Sequence, residues 1–425
     1  MTPSGLAPSR RVLDNGVTVI AKANHTTPAV HLILGVAAGG FSDPPGAEGT
    51  AALAARVLDR GTESRPADAI ADELDRRGAS VSVTAGRHQI AIGATCLTED
   101  FDAVLTLVAD MARRPVFPAQ EVATRRAELI TSIRQEEDDP AAMAVDAMMR
   151  LLYGTHPYAR KVRGSVTSVA GIGQPDLAAF HRTWFAPHGV TVVVVGDIIE
   201  AAAIDAVAAT VGDWIAPWPG RPDVPEASSQ TPRRIQSVPM MNKAQADVAY
   251  GVVGIRRSDP AFTIASVMNN ALGQYAIGGR LGDSIRERQG MAYYVFSSMD
   301  AGFGQGPLMI RAGVSAENVE RTIASIDAEL NAVLHDGFTA KEVDESKRYL
   351  IGSLPRQLET NAAIGAFLLN AELFQLGLDY DVRLPAMLRN VTREAVAAVA
   401  RRLLDPTRAA IAVAGPWRGD DQGRS

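Results

Sequence analysis

Seven histidines and one cysteine are the chain's whole stock of soft metal ligands: His25, His31, His88, His156, His181, His188, His335 and Cys96. No two histidines stand three or four apart, the spacing at which one helix face presents a ligand pair. His181 and His188 stand seven apart, and along a helix rising ~1.5 Å per residue they would be roughly 10.5 Å apart, too far for one zinc. A lone cysteine excludes an intramolecular disulfide and any thiolate-based zinc or iron–sulfur site. Two other residues could do chemistry: Arg286 and Tyr293. An arginine presents five fixed donors and keeps its charge, and a tyrosine hydroxyl adds one more, so the two suit a peptide carbonyl or the negative charge developing on it. Taken bare, the pair reads as a helix end followed by the start of a strand, an arrangement commonplace in any fold. Gly302 to Gly306 carries phosphate-loop glycines, but with no following helix and no lysine it reads as a hairpin turn. His156 reads as a turn or packing residue.

The elements that must position these groups come from a chain of 425 residues, 47% hydrophobic and 21% charged, enough for more than one buried core. A net charge of -6 with no dense Lys/Arg window argues against nucleic acid. The longest apolar run, around Val190 to Val195, is far short of the ~20 residues of a membrane helix. The N-terminus shows no apolar secretory core, so the expected compartment is the cytoplasm, or the periplasm where a leader has been removed.

Residues 216–233 are rich in Pro and Ser and lack an apolar period, which marks a linker between residues 1–215 and 234–425. The two sides follow one plan. His31 to Ala37 ends at Ser42-Asp43-Pro44, and Asp247 to Val253 ends at Ser258-Asp259-Pro260. Thr98 and Ser315 each stand where they could cap a following helix. Phe117-Pro-Ala-Gln-Glu-Val122 is matched by Phe338-Thr-Ala-Lys-Glu-Val343, and Val190 to Gly196 by Ala409 to Gly415. Period-2 runs from Ser80 and Gln89 read as a hairpin about Gly86-Arg87, whereas Phe101 to Ala112 and Ala141 to Leu152 show a helical period. Strands and helices run in groups, so the expected fold is α+β: two homologous halves, each a layer of helices on a mainly antiparallel sheet.

The stretch Gly49-Thr-Ala-Ala-Leu-Ala-Ala-Arg-Val-Leu-Asp-Arg-Gly-Thr62 resembles the frame Gly-x-x-His-x-x-Glu-His-x-x-x-x-Gly-Thr, the inverted zinc motif of the M16 (pitrilysin / mitochondrial processing peptidase) family. Leu13-Asp-Asn-Gly-Val-Thr-Val, Tyr153-Gly-Thr-His-Pro-Tyr158 and Val195-Gly-Asp197 extend the resemblance over the chain, toward the short bacterial members that pair into dimers. At each catalytic position the chain departs. The histidine ligands fall on Ala52 and Arg56, the general-base glutamate on Ala55 and the distal glutamate on Ser132; Glu128, Glu136 and Glu137 are out of phase. Asn269 to Tyr293 is similar to the family's glycine-rich stretch with its Arg and Tyr seven residues apart, which implies that Arg286 and Tyr293 bind substrate and stabilise the transition state.

The resemblance therefore implies a zinc-free subunit with no cofactor of its own. Its partner would be a homologous chain carrying the intact motif and the zinc, forming a heterodimer, and its substrate an extended peptide. Two other readings remain: a non-peptidase structural subunit like the core proteins of a respiratory complex, and an enzyme acting alone, for which no nucleophile–base–acid set is present.

Overall fold

The computed structural model describes residues 5–228, 232–274 and 279–419. The first sheet comprises β1 (Ser9–Val12), β2 (Thr18–Ala23), β3 (Ala29–Val36), β4 (Ser80–Ala85), β5 (Ile90–Leu97) and β6 (Val190–Gly196), in the order β1-β2-β6-β3-β5-β4. The second comprises β7 (Arg234–Pro239), β8 (Ala246–Val253), β9 (Ala292–Met299), β10 (Pro307–Val314) and β11 (Ala410–Gly415), in the order β7-β11-β8-β10-β9. With β1 set aside, β2-β6-β3-β5-β4 and β7-β11-β8-β10-β9 are the same order, strand for strand. Each sheet has one parallel pair, β2 with β6 and β7 with β11, and is otherwise antiparallel. The duplicated α+β architecture is thus present in the topology.

The repeated Ser-Asp-Pro has a physical role that the sequence alone left unread. Asp43 accepts from the backbone N–H groups of Gly49 and Ala51 at 2.7 Å each, closing the start of the helix Thr50–Val57. Asp259 accepts from the N–H of Ala261 at 2.8 Å, ahead of the helix Phe262–Asn269. A carboxylate there satisfies orphan donors and meets the positive end of the helix dipole. Thr98 and Ser315, by contrast, do not cap. A 3-10 turn precedes each helix, Thr98–Asp100 and Ala316–Asn318, with no side-chain cap bond at either. Thr98 lies inside its turn rather than ahead of it, and the Ser315 hydroxyl engages Glu317 and Asn318 side chains instead.

Two compact units make up the molecule: Met1–Ile133 with Lys161–Asp223 and Leu354–Arg383, and Arg134–Arg160 with Val224–Ser353 and Leu384–Ser425. The stretch 216–228 has no regular secondary structure and separates the two sheets in sequence. The units nevertheless differ from the contiguous divisions 1–215 and 234–425, because each sequence half lends a helix to the other's sheet. Pro140–Tyr153 packs on β8 and β11, and Asn361–Leu373 on β6 and β3.

The cause is burial on both faces. The valine run of β6 is buried throughout, Val192 and Val194 in the core with the helix Thr50–Val57 and Val193 and Val195 against Ile364, Leu368 and Leu369. Such a strand needs a cover on each side. In the second unit β11 presents alanines and β8 presents Gly251, where a Cβ would come 2.3 Å from Met148 Sδ; only glycine admits the helix that closely. Among the described residues no helix is long and apolar enough to cross a membrane.

Candidate functional site

Ala52, Ala55 and Arg56 lie on the helix Thr50–Val57, and Ser132 on the helix Ala119–Glu137. Ala52 and Ala55 are 8% and 3% exposed and belong to the hydrophobic core of the first unit. Arg56 is half-buried in the last helical turn, where its charge suits the dipole, and it makes no hydrogen bond or ion pair among the described residues. Glu128 is held by Arg125 at 2.7 Å.

Zinc does not fit this frame. Methyl groups donate no lone pair, a permanent guanidinium charge replaces a neutral imidazole, and a catalytic zinc needs three protein ligands. Among the described residues no group of three His, Cys, Asp or Glu is arranged to hold a metal.

The residues framing the vacant motif keep structural partners. Gly49 has φ +101°, and a Cβ there would meet the Arg163 carbonyl oxygen at 2.6 Å. Thr62 donates to Asp110 at 2.6 Å, in a buried cluster that also takes in Ser64 and Arg65. These contacts hold the start of the helix and its exit.

Arg286 and Tyr293 belong to the second unit, on the short helical segment Gly282–Arg288 and the strand β9. The glycine-rich stretch before them includes 275–278, which lie outside the described residues. A tight stop joins the two elements: Gly290 N–H bonds to the Arg286 carbonyl at 3.0 Å and Met291 N–H to the Ile285 carbonyl at 3.2 Å. The bond from Gly290 to Arg286 is that of the αL motif, and Gly290, at φ +61°, takes its left-handed position. The helical segment therefore ends beside the start of β9.

Tyr293 is 79% exposed, although its neighbour Ala292 is buried. The ladder explains it: β10 pairs Gly313 with Tyr294 and Val314 with Ala292, so Tyr293 is the extra residue of a β-bulge. A bulge re-aims a side chain that regular pleating would fix. Among the described residues the Tyr293 hydroxyl has no partner and the Arg286 guanidinium meets only Glu287, at 3.6 Å with both side chains well exposed. Both donors are thus available to a ligand.

Behind the bulge stand residues that no motif marked. Tyr294 donates to Asp247 on β8, and Gly313 on the strand between them leaves room for the Tyr294 ring. Burial pushes the Asp247 carboxyl above its ordinary range, against the pull of the Tyr294 hydrogen bond and Arg311. The Tyr294 phenol is likewise pushed up by burial and by Asp247. The sequence signal was slight: an acidic residue inside an apolar strand. His156 proves to be a turn residue, accepting from Tyr158 N–H at 3.0 Å, and Gly302 to Gly306 joins the β9–β10 hairpin.

Residues 18–166 match the model of Insulinase (Peptidase family M16), and residues 172–350 match that of the Peptidase M16 inactive domain. An uncharacterized zinc protease of Mycobacterium tuberculosis is 28% identical over 424 residues, covering 97% of this chain and 94% of that one. A Helicobacter pylori protein named a non-peptidase homolog is 25% identical over 350 residues, covering 81% and 79%. The crystal structure of a peptidase M16 inactive domain from Pseudomonas fluorescens superposes with a TM-score of 0.90 at 27% identity, covering 97% of this chain and 98% of that one. With both halves matched by models of one family and the fold shared end to end, the chain belongs to the peptidase M16 family.

Proposed function

We propose that this chain is the zinc-free subunit of a two-chain M16 peptidase. It binds an extended peptide and supplies Arg286 and Tyr293 to a partner's zinc site. The partner is a homologous chain of similar size with the His-x-x-Glu-His motif intact, and the zinc belongs to that partner. The supporting observation is an asymmetry: the zinc frame is filled by buried Ala52 and Ala55 with Arg56 and Ser132, whereas Arg286 and Tyr293 are uncommitted, Tyr293 being 79% exposed on a bulge. β4 and β9 are sheet edges, and an extended peptide binds such an edge by main-chain hydrogen bonds.

In this role Arg286 and the Tyr293 hydroxyl direct donors at the scissile carbonyl oxygen, where negative charge develops during attack. Removing one such donor costs roughly 100- to 1,000-fold in rate. The test is co-expression with a partner carrying the intact motif, followed by peptide cleavage assays on the purified pair. Arg286→Ala and Tyr293→Phe should each lower kcat/KM by that factor with the pair still assembled. Unchanged cleavage by both variants overturns the role.

The Helicobacter pylori relative's name supports a second reading, a structural subunit without peptidase function. Cleavage that requires this chain rejects that reading; a stable assembly that cleaves nothing supports it.

A further inference from the structure

The two sheets share one strand order, yet one edge differs. In the first sheet β2 carries β1 along its outer side, paired antiparallel with Arg11 opposite Val19 and Ser9 opposite Ala21. In the second sheet β7 holds the place of β2, and no described strand pairs with its outer side. The register fixes the correspondence. Ala23 lies opposite Gly196 and Pro239 opposite Gly415, and both glycines have positive φ, +152° and +142°. Counting back along each strand, Ile235 stands where Val19 does, and Ser237 where Ala21 does.

Three observations mark the outer side of β7 as a place for another strand. First, Arg234 and Met240 donate their N–H groups to the carbonyls of Ala409 and Gly415, so the even-numbered residues of β7 face β11. Ile235 and Ser237 therefore turn both N–H and C=O to the open side, as Val19 and Ala21 turn theirs toward β1. Second, Val19 is fully buried whereas Ile235 is 51% exposed, an apolar side chain without the cover its counterpart has. Third, the open ladder has a defined end. In the first sheet the Ala23 N–H is taken by Glu200 at 3.0 Å, and in the second Pro239 has no N–H to offer. The proline limits an added strand to the four residues that β1 has.

The charges where β7 begins define the partner. A cleft of about 230 Å³ opens there within the second unit, lined by Arg234, Arg401, Arg402, Arg408 and Asp405. Arg402 is paired with Asp259 at 2.5 Å and Arg408 with Asp405 at 3.1 Å, and Arg234 donates to the Leu151 carbonyl. Two carboxylates among four guanidinium groups leave an excess of positive charge, on a chain whose net charge is -6. Such a cluster draws acidic groups, and two copies meeting edge to edge would set one arginine cluster against another. A strand running antiparallel to β7, as β1 runs to β2, places its C-terminal end at Arg234: Val12, the last residue of β1, lies opposite Thr18, the counterpart of Arg234.

We propose that the outer edge of β7 is a docking site for an extended segment of another protein. Four residues of that segment add antiparallel to residues 234–237, and an acidic run on its C-terminal side enters the arginine cleft. Main-chain bonds to Ile235 and Ser237 set the register, water giving up those groups to the added strand, and the segment covers the exposed Ile235 side chain. This edge is separate from β4 and β9, and nothing in the proposal rests on Arg286 or Tyr293.

The experiment titrates fluorescein-labelled peptides with the full-length chain and reads fluorescence anisotropy. The probe is Thr-Val-Thr-Val-Asp-Glu-Asp, compared with Thr-Val-Thr-Val-Lys-Lys-Lys and with Asp-Glu-Asp-Thr-Val-Thr-Val. The probe should bind saturably and lose affinity as salt rises. The lysine peptide should not bind, and the third should bind more weakly because its acidic end meets the wrong end of β7. Arg401→Glu should weaken the probe about fivefold at low salt, the scale of an exposed ion pair. Ile235→Pro removes an outward N–H and should weaken it about tenfold, while Ile235→Val keeps that donor and should bind as the native chain does. In the native chain the probe should also slow amide exchange at Ile235 and Ser237, a reading that needs no variant. No binding at millimolar concentration, equal binding of the lysine peptide or of the third peptide, or unchanged binding in Ile235→Pro overturns the proposal. So does self-association of the chain that Ile235→Pro abolishes, which gives the edge to a second copy.

Discussion

The ring of Tyr294 lies over Gly313 of the neighbouring strand, so close that a Cβ on Gly313 would sit 2.6 Å from it. At that pairing the β9–β10 register slips by one and Tyr293 is turned out into solvent. The Tyr294 hydroxyl reaches past Gly313 to Asp247 on β8, tying three strands together behind the bulge. Gly313→Ala should displace the ring and cost about 1–3 kcal/mol, the range for overpacking. Urea unfolding measures the loss. Cleavage by the assembled pair should fall even where the fold survives, because Tyr293 is then mis-aimed.

Asp43 holds the start of the helix that bears the empty zinc frame. It is 4% exposed and accepts two backbone N–H bonds. Asp43→Ala leaves buried donors unsatisfied and should destabilise the first unit by about 2 kcal/mol or more. Hydrogen exchange should show the opening localised to Thr50–Val57 before the sheet.

Burial pulls His88 down from the ordinary 6.5 to about 4, with Arg87 and Arg221 adding to the shift. Between those values the unfolded chain takes a proton that the folded one refuses, so stability falls as the pH drops through the window and is flat above it. The loss across the window is on the order of 3 kcal/mol. His31 and His181, lowered chiefly by burial, tilt the curve the same way. Urea midpoints of the native chain should fall more steeply between pH 6.5 and about 4 than those of His88→Gln, which has no group to protonate there; parallel falls would count against the shift.

Restoring the ligands tests whether the frame still has the geometry of a metal site. Ala52→His, Ala55→Glu, Arg56→His and Ser132→Glu together should lower stability without metal, since Ala52 and Ala55 are core residues and overpacking costs about 1–3 kcal/mol. Added zinc should then raise the Tm of this variant and leave that of the native chain unchanged. An equal rise in the native chain would show a zinc site elsewhere.

The sequence by itself determined the duplication, the α+β class and the loss of the zinc ligands. Each is written locally: alternation and the helical period assign elements, and an alanine at a ligand position cannot ligate wherever the helix packs. It also carried Arg286 and Tyr293 as a pair seven residues apart. Tertiary structure decided the rest. Pro140–Tyr153 and Asn361–Leu373 each cover the other half's sheet because those faces need burial, and nothing along the chain says which helix will supply it. Tyr293 is exposed because of a slip in register between β9 and β10, a relation between two strands that neither strand's own sequence contains.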